Sequence, residues 1–189
     1  MKIKAIETFY NGYRFRSRAE ARWAVFFNEL KMPYLYEPEG FELSDGTCYL
    51  PDFYLPDCKT FFEVKGVMTD TDMHKIKQLQ NDLHISVAIG YSDMTFQSSD
   101  NWSYPNDPSF EITDKDNSFC LMCPKCNKVF FMGGTGIYSC QCCGYYDGDS
   151  IFCDYIGGHG FDYEYEYFHN KLSKAALKAR QARFDHVQK

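Results

Sequence analysis

Asp52, Glu63 and Lys65 are the residues of this chain whose types and spacing carry the most chemistry: two carboxylates and an amine on neighbouring runs of alternating character. Side chains of a strand point to opposite sides in turn, so Leu50, Asp52 and Tyr54 share one face of the run from Tyr49 to Leu55. In the next run Phe61, Glu63 and Lys65 share a face in the same way. Pro56-Asp57-Cys58-Lys59 between them reads as a four-residue hairpin turn. A symmetric exit from that turn sets Leu55 opposite Thr60 and Asp52 opposite Glu63, with Cβ atoms about 5 Å apart. Two carboxylates so close repel unless a proton or a cation lies between them, and hard oxygen donors with water suit Mg2+ or Mn2+. Lys65, two residues along the same row, brings its ammonium to the rim of such a site, where it orients a water or steadies charge developing on a phosphate.

The elements that must hold these groups are legible on either side. From Arg16 to Leu30, apolar residues at 19, 23, 26, 27 and 30 form a helical stripe, with Glu20 at its border. Glu20 has two readings. Its carboxylate reaches the metal site on the sheet, or it closes a capping box, Ser17-x-x-Glu20, by folding back onto the Ser17 amide. After the hairpin, Asp70 or Thr71 caps a helix running through Leu83, with Met73, Ile76, Leu79 and Leu83 on one face, and Ile85 to Tyr91 is a short apolar strand. The order is helix, three strands, helix, strand.

Glu20 on the first helix, Pro51-Asp52 and then Glu63-x-Lys65 after a hairpin resemble the PD-(D/E)XK nuclease superfamily, which includes type II restriction enzymes, archaeal Holliday-junction resolvases and transposition endonucleases. The resemblance covers roughly residues 14 to 91. Within it, Ser17-Arg18-Ala19-Glu20-Ala21-Arg22 and Tyr49-Leu50-Pro51-Asp52-Phe53 are most similar to small phage-encoded or transposon-associated members. It implies an α/β, restriction-endonuclease-like core, a small mixed sheet flanked by helices, with the metal site where the central strands diverge. It also implies a Mg2+-dependent endonuclease, in which Asp52, Glu63 and the Val64 carbonyl hold Mg2+ (or Mn2+), Glu20 assists, and Lys65 positions the attacking water. Family members often carry a Gln or Lys on the second helix; Lys75, Lys77 and Gln78 are the candidates.

A second signal is Cys123-Pro124-Lys125-Cys126 followed by Cys140-Gln141-Cys142-Cys143-Gly144. Two such knuckles thirteen residues apart bring four thiolates to one tetrahedral zinc, so Cys123, Cys126, Cys140 and Cys143 are expected as ligands, with Cys142 the alternative to Cys140 or Cys143. Gly136 and Gly144 relieve backbone strain near the turns. A tetrathiolate zinc is closed, so its role is structural. Five further cysteines remain: Cys48, Cys58, Cys120, Cys142 and Cys153. An odd total of nine and the paired knuckles favour a reducing, cytoplasmic setting over disulfides. Cys120 and Cys153 bracket the ribbon and could join a second site with His159 or His169.

Charge is unevenly placed. The net charge is −6, and the stretch from Ser92 to His169 holds twelve acids against three lysines, which argues against a generic nucleic-acid binder and suits a protein partner in the ribbon and tail. Arg14, Arg16, Arg18 and Arg22 cluster on the first helix, beside the expected catalytic groups, where DNA, duplex or branched, brings its phosphates. Lys171, Lys174, Lys178, Arg180, Arg183 and Lys189 decorate a last helix opened by Asn170, either a second place for phosphates or a solvated face opposite Leu172, Ala176, Leu177 and Phe184.

The organisation expected is a core over 1–97, a linker over 98–118 carrying Trp102 and Tyr104, a ribbon over 119–146, and an acidic, aromatic segment with the basic helix over 147–189. Phe161 to Phe168 alternates as a half-buried strand. No apolar run is long enough for a membrane span. One site cuts one strand, so double-strand cleavage often calls for a homodimer. The alternative function is a catalytically silent, nuclease-like adaptor for DNA or a host protein; a zinc-sensing regulator is a third.

Overall fold

The computed structural model of this 189-residue chain describes residues 5–99, 112–134, 139–140, 142–146, 155–157 and 171–184. The expectations for Trp102, Tyr104, Gly136, Cys153, His159, the 161–168 strand, His169, Asn170 and Lys189 lie outside the described residues.

The fold is mixed α/β. It opens with a hairpin of β1 (Thr8–Tyr10) and β2 (Tyr13–Phe15), turned by Asn11 and Gly12, both at positive φ, the backbone that a two-residue Asn-Gly connection adopts. Ser17 then caps α1 (Arg18–Glu29). Short strands follow: β3 (Leu35–Tyr36), β4 (Phe41–Glu42), β5 (Cys48–Tyr49) and β6 (Phe53–Leu55). Next come β7 (Thr60–Lys65), α2 (Asp70–Leu83), β8 (Ser86–Tyr91) and β9 (Phe96–Ser98). The described elements end with β10 (Ser118–Met122), β11 (Val129–Gly133), β12 (Tyr155–Gly157) and α3 (Lys171–Gln181).

The central sheet runs β3-β6-β7-β8-β9. Only β7 and β8 are parallel, because α2 carries the chain back across the sheet between them. Both strands are buried on both faces. Trp23, Phe26 and Phe27 of α1 pack with Phe53, Phe62 and Phe96 on one side; Ile76 and Leu79 of α2 pack with Phe61, Val87 and Ile89 on the other.

Three expectations are corrected. The single strand from Tyr49 to Leu55 is broken: Cys48–Tyr49 pairs with Phe41–Glu42 in a separate ribbon, and the main sheet resumes only at Phe53. Pro51 is the reason, since it has no N–H for a ladder and restricts Leu50 before it; Leu50 is 37% exposed. The cap of α2 is Thr69, not Asp70 or Thr71, in a capping box with Asp72. Leu83 is exposed, because His84 takes a left-handed conformation and ends the helix there.

The ribbon strands, ordered β11-β10-β12, share the core of the central sheet. Phe131 packs edge-on against Trp23 and Phe96 and tilted against Phe62. The Gly133 amide donates to the Ser99 carbonyl at 3.0 Å, and a Cβ on Gly133 would lie 2.8 Å from the Ser98 carbonyl oxygen, so β11 approaches β9 backbone to backbone. The expected linker is therefore tied in at both described ends: Ser98 belongs to β9, Ser99 bridges to Ile112, and Ser118 opens β10. α3 docks on α1 through Leu172, Ala175, Ala176 and Ala179, and Lys178 pairs with Glu29 at 2.7 Å. Leu177 points out instead, its place taken by the small residues that let the helices approach. Among the described residues no helix is long and apolar enough to cross a membrane.

Candidate functional site

The β6–β7 hairpin keeps the expected register: Leu55 pairs with Thr60, Tyr54 with Phe61 and Phe53 with Phe62. The next position in that ladder sets Asp52 against Glu63. Asp52 has left the strand but is locked there by two bonds: Val64 N–H donates to Asp52 Oδ2 at 2.8 Å, and Asp52 N–H donates to Glu63 Oε2 at 3.2 Å. Asp52 is 5% exposed and Glu63 3%. Lys65 donates to Glu63 Oε1 at 2.7 Å and pairs with Asp72 of α2 at 3.2 Å. Asp52, Glu63 and Lys65 thus form one connected group at the end of the central strands.

Glu20 is buried at the start of α1. Its amide donates to Ser17 Oγ at 3.2 Å, while its carboxylate accepts from the Ser17 hydroxyl at 2.6 Å, the Arg16 amide at 2.9 Å and the Tyr36 hydroxyl at 2.7 Å. The carboxylate folds back as a cap does, but onto the amide one residue before Ser17. Its charge also acts on Asp52. Burial, then the charges of Glu63 and Glu20, push the Asp52 carboxyl up to about 8, against the opposing pull of the Val64 amide and Arg16. Burial works against the charge on Lys65, yet Glu63 more than offsets it and its proton affinity rises. Tyr49, close against Glu63, is held in its phenol form by burial and then by that carboxylate.

The four arginines do not form one patch. Arg14 pairs with Glu7. Arg16 bridges Glu37 at 2.6 Å and Asp52 Oδ1 at 2.8 Å, so it belongs to the carboxylate group. Arg18 and Arg22 are half-buried on α1, and the Nε of Arg22 is buried with no hydrogen-bond partner. On α2, Gln78 bonds Ser44 and Asp82 and so turns away from the site, while Lys77 is exposed. Sequence reasoning missed Tyr36, Tyr49, Glu37 and Asp72. Asp72 had a signal, the Thr69-x-x-Asp72 box, and Tyr49 lies three residues before Asp52; Tyr36 and Glu37 are joined to the site only by the folding of distant segments.

The second candidate site is the cysteine cluster. Cys123 and Cys143 sulfurs are 3.7 Å apart and those of Cys126 and Cys140 3.6 Å apart. A zinc about 2.3 Å from each of four thiolates sets the sulfurs about 3.8 Å apart, so the cluster could hold such an ion. All four sulfurs lie within 4.8 Å of one another, and among the described residues no other group of three or more His, Cys, Asp or Glu does so. Each knuckle is closed by a residue at positive φ after its second cysteine, Asn127 and Gly144, whose amides donate back to the Cys123 and Cys140 carbonyls at 2.8 Å. Cys142 is outside the cluster, donating to the Asp57 carbonyl at 2.6 Å.

No model of a known protein family matches the chain, and no curated protein matches it.

Proposed function

We propose that this chain is a metal-dependent DNA endonuclease built on a PD-(D/E)XK-like core, with a structural zinc ribbon. The observation that carries this reading is the buried Asp52, locked against Glu63 by its own backbone and held above its ordinary proton affinity, with the Lys65 ammonium bonded to the same Glu63. A buried carboxylate pair of this kind is relieved by a divalent cation as well as by a proton, so the donor set fits Mg2+ or Mn2+ held by Asp52, Glu63 and the Val64 carbonyl. Such an ion, when bound, polarises a phosphodiester and acidifies water. The chain's own groups do the rest. Lys65 orients the water and neutralises charge gathering on the phosphate oxygens; Asp72 and Glu63 hold its ammonium in place. Glu20, fixed by three donors, adds negative charge beside Asp52 and strengthens its demand for a cation. Arg16 must yield Asp52 Oδ1 and is then free to meet a phosphate. The eight described cysteines are all free, in keeping with a reducing, cytoplasmic setting and with thiolates available to zinc.

One observation favours the second reading, a catalytically silent adaptor. Arg16 already supplies a cation to Asp52, as a permanent counter-ion would. The two are separated by incubating the purified protein with supercoiled, linear and branched DNA in Mg2+ or Mn2+, with EDTA and Asp52→Ala as controls. Cleavage lost in both controls is expected; absence of cleavage on every substrate rejects the enzyme in favour of the adaptor.

A further inference from the structure

The C-terminal end of α1, the first cysteine knuckle and α3 enclose an open groove of about 660 Å³. Five lysines line it, Lys31, Lys128, Lys171, Lys174 and Lys178, against a single acid, Glu29. In a chain with 26 acidic and 20 basic residues this is a local reversal of sign. Lys178 is paired with Glu29 and Lys128 with Asp57, while Lys31, Lys171 and Lys174 are exposed with no ion pair to a described residue.

We infer that this groove binds the phosphate backbone of a nucleic acid, with the zinc knuckle as one wall. The inference rests on the reading of the chain as a nuclease and adds the surface that seats its substrate. Lys171, Lys174 and Lys178 stand three and four residues apart on the exposed side of α3, so their stems rise by about 4.5 and 6 Å along the helix. That span of about 10 Å meets roughly three phosphates of one strand, which follow each other at about 3.4 Å along a duplex axis. Along α1 the groove begins at Glu29, nine residues and about 14 Å from Glu20, a distance of roughly four nucleotides from the carboxylate site. The Cys126–Asn127 turn forms the groove's rigid side, because the turn is bound by the cluster and by the Asn127 amide. The four-cysteine centre therefore acts on substrate through the shape of this wall. Point-charge contacts from lysine give affinity without reading bases.

The test is binding without added Mg2+ or Mn2+ and without chelator, where nothing is cut and the zinc stays in place. Fluorescence anisotropy of a labelled 30-base-pair duplex is followed from 50 to 300 mM KCl for wild type and the triple variant Lys31→Ala/Lys171→Ala/Lys174→Ala. All three substituted lysines are exposed, and zinc content and melting temperature verify the fold of the variant. Losing three unpaired lysine charges from the groove is expected to flatten the plot of log K against log salt by up to about 2.7 and to lower affinity more than tenfold at 50 mM. Wild-type affinity and slope in the triple variant overturn the inference, whether or not the protein cuts DNA. Displacement of the duplex by polyglutamate at equal charge concentration also overturns it, in favour of an acidic protein partner. Binding that depends on the lysines in a protein that never cuts DNA rejects the catalytic reading alone.

Discussion

The backbone amide of Asp52 donates to the carboxylate of Glu63 at 3.2 Å, so the two acids of the site are held together by the chain itself rather than by the chance of two side-chain rotamers. Burial first, and then a mutual repulsion that the two cannot relieve by swinging apart, push the Asp52 carboxyl up to about 8 from an ordinary 3.8. A folded-state value above the unfolded one means that the protonated form stabilises the fold. That stability is fully present below pH 3.8 and is lost as pH rises through about 8. The metal-free protein is expected to melt at a lower temperature at pH 8.5 than at pH 6, and Asp52→Asn to remove most of that difference. A cation competes with the same proton, so apparent Mg2+ or Mn2+ affinity is expected to weaken by up to about tenfold per pH unit below 8, measured calorimetrically. Affinity independent of pH between 6 and 8 contradicts a proton on Asp52.

Lys65 bridges Glu63 and Asp72, and its side chain is one-fifth exposed. Removing it leaves the buried Glu63 carboxylate without its counter-ion, so Lys65→Ala is expected to cost about 3 kcal/mol of stability. The effect on cleavage is expected to be separate, on the order of 10²-fold or more in kcat, because a positioned cation acts mainly on charge that develops in the transition state. Single-turnover rates beside denaturant midpoints separate the two. A variant that cuts at the wild-type rate removes Lys65 from the site.

How much of this was legible in the sequence depends on the range of each interaction. The opposition of Asp52 and Glu63 follows from turn length and a period of two, both local, and the four cysteines declare themselves by spacing. The two readings of Glu20 were both visible because Ser17 and the apolar stripe lie within one helical turn. The strand break at Leu50 was also written locally, in Pro51, but the alternation of apolar residues suggested continuity. Tyr36 on Glu20, Arg16 on Asp52 and Phe131 against Trp23 were not legible: each joins segments 16 or more residues apart, with no period linking them. For the same reason the ribbon reads in sequence as a separate module and in the fold as part of one core.

That shared core makes the cysteine cluster matter beyond the ribbon. If four thiolates hold zinc, one ion per chain is expected by elemental analysis, and its removal frees β10 and β11, taking Phe131 from its place against Phe62 and Phe96. Chelation, or Cys126→Ser, is expected to lower the stability of the whole chain by several kcal/mol in a single transition. Two transitions, with the central sheet melting unchanged, indicate that ribbon and sheet are energetically independent.

Gly90 in β8 lies directly beneath the aromatic pair that joins α1 to the sheet. A Cβ there falls 2.5 Å from ring atoms of both Phe62 and Trp23, well inside contact distance. Neither ring can withdraw easily: Trp23 Nε1 donates to the Tyr91 carbonyl at 3.1 Å, and Phe62 is wedged against Phe27 and Phe131. Gly90→Ala is therefore expected to destabilise the protein by about 3 kcal/mol or more, at the upper end of overpacking costs. Since Phe62 precedes Glu63 on β7, the displaced strand should also weaken metal binding at the carboxylates. Shrinking the neighbour in Gly90→Ala/Phe62→Leu is expected to recover part of the loss, because the new methyl occupies space that the smaller side chain vacates. Chemical denaturation of the two single variants and the double one decides this. Strictly additive losses mean that the strain lies in the backbone of β8 rather than in its contact with the rings.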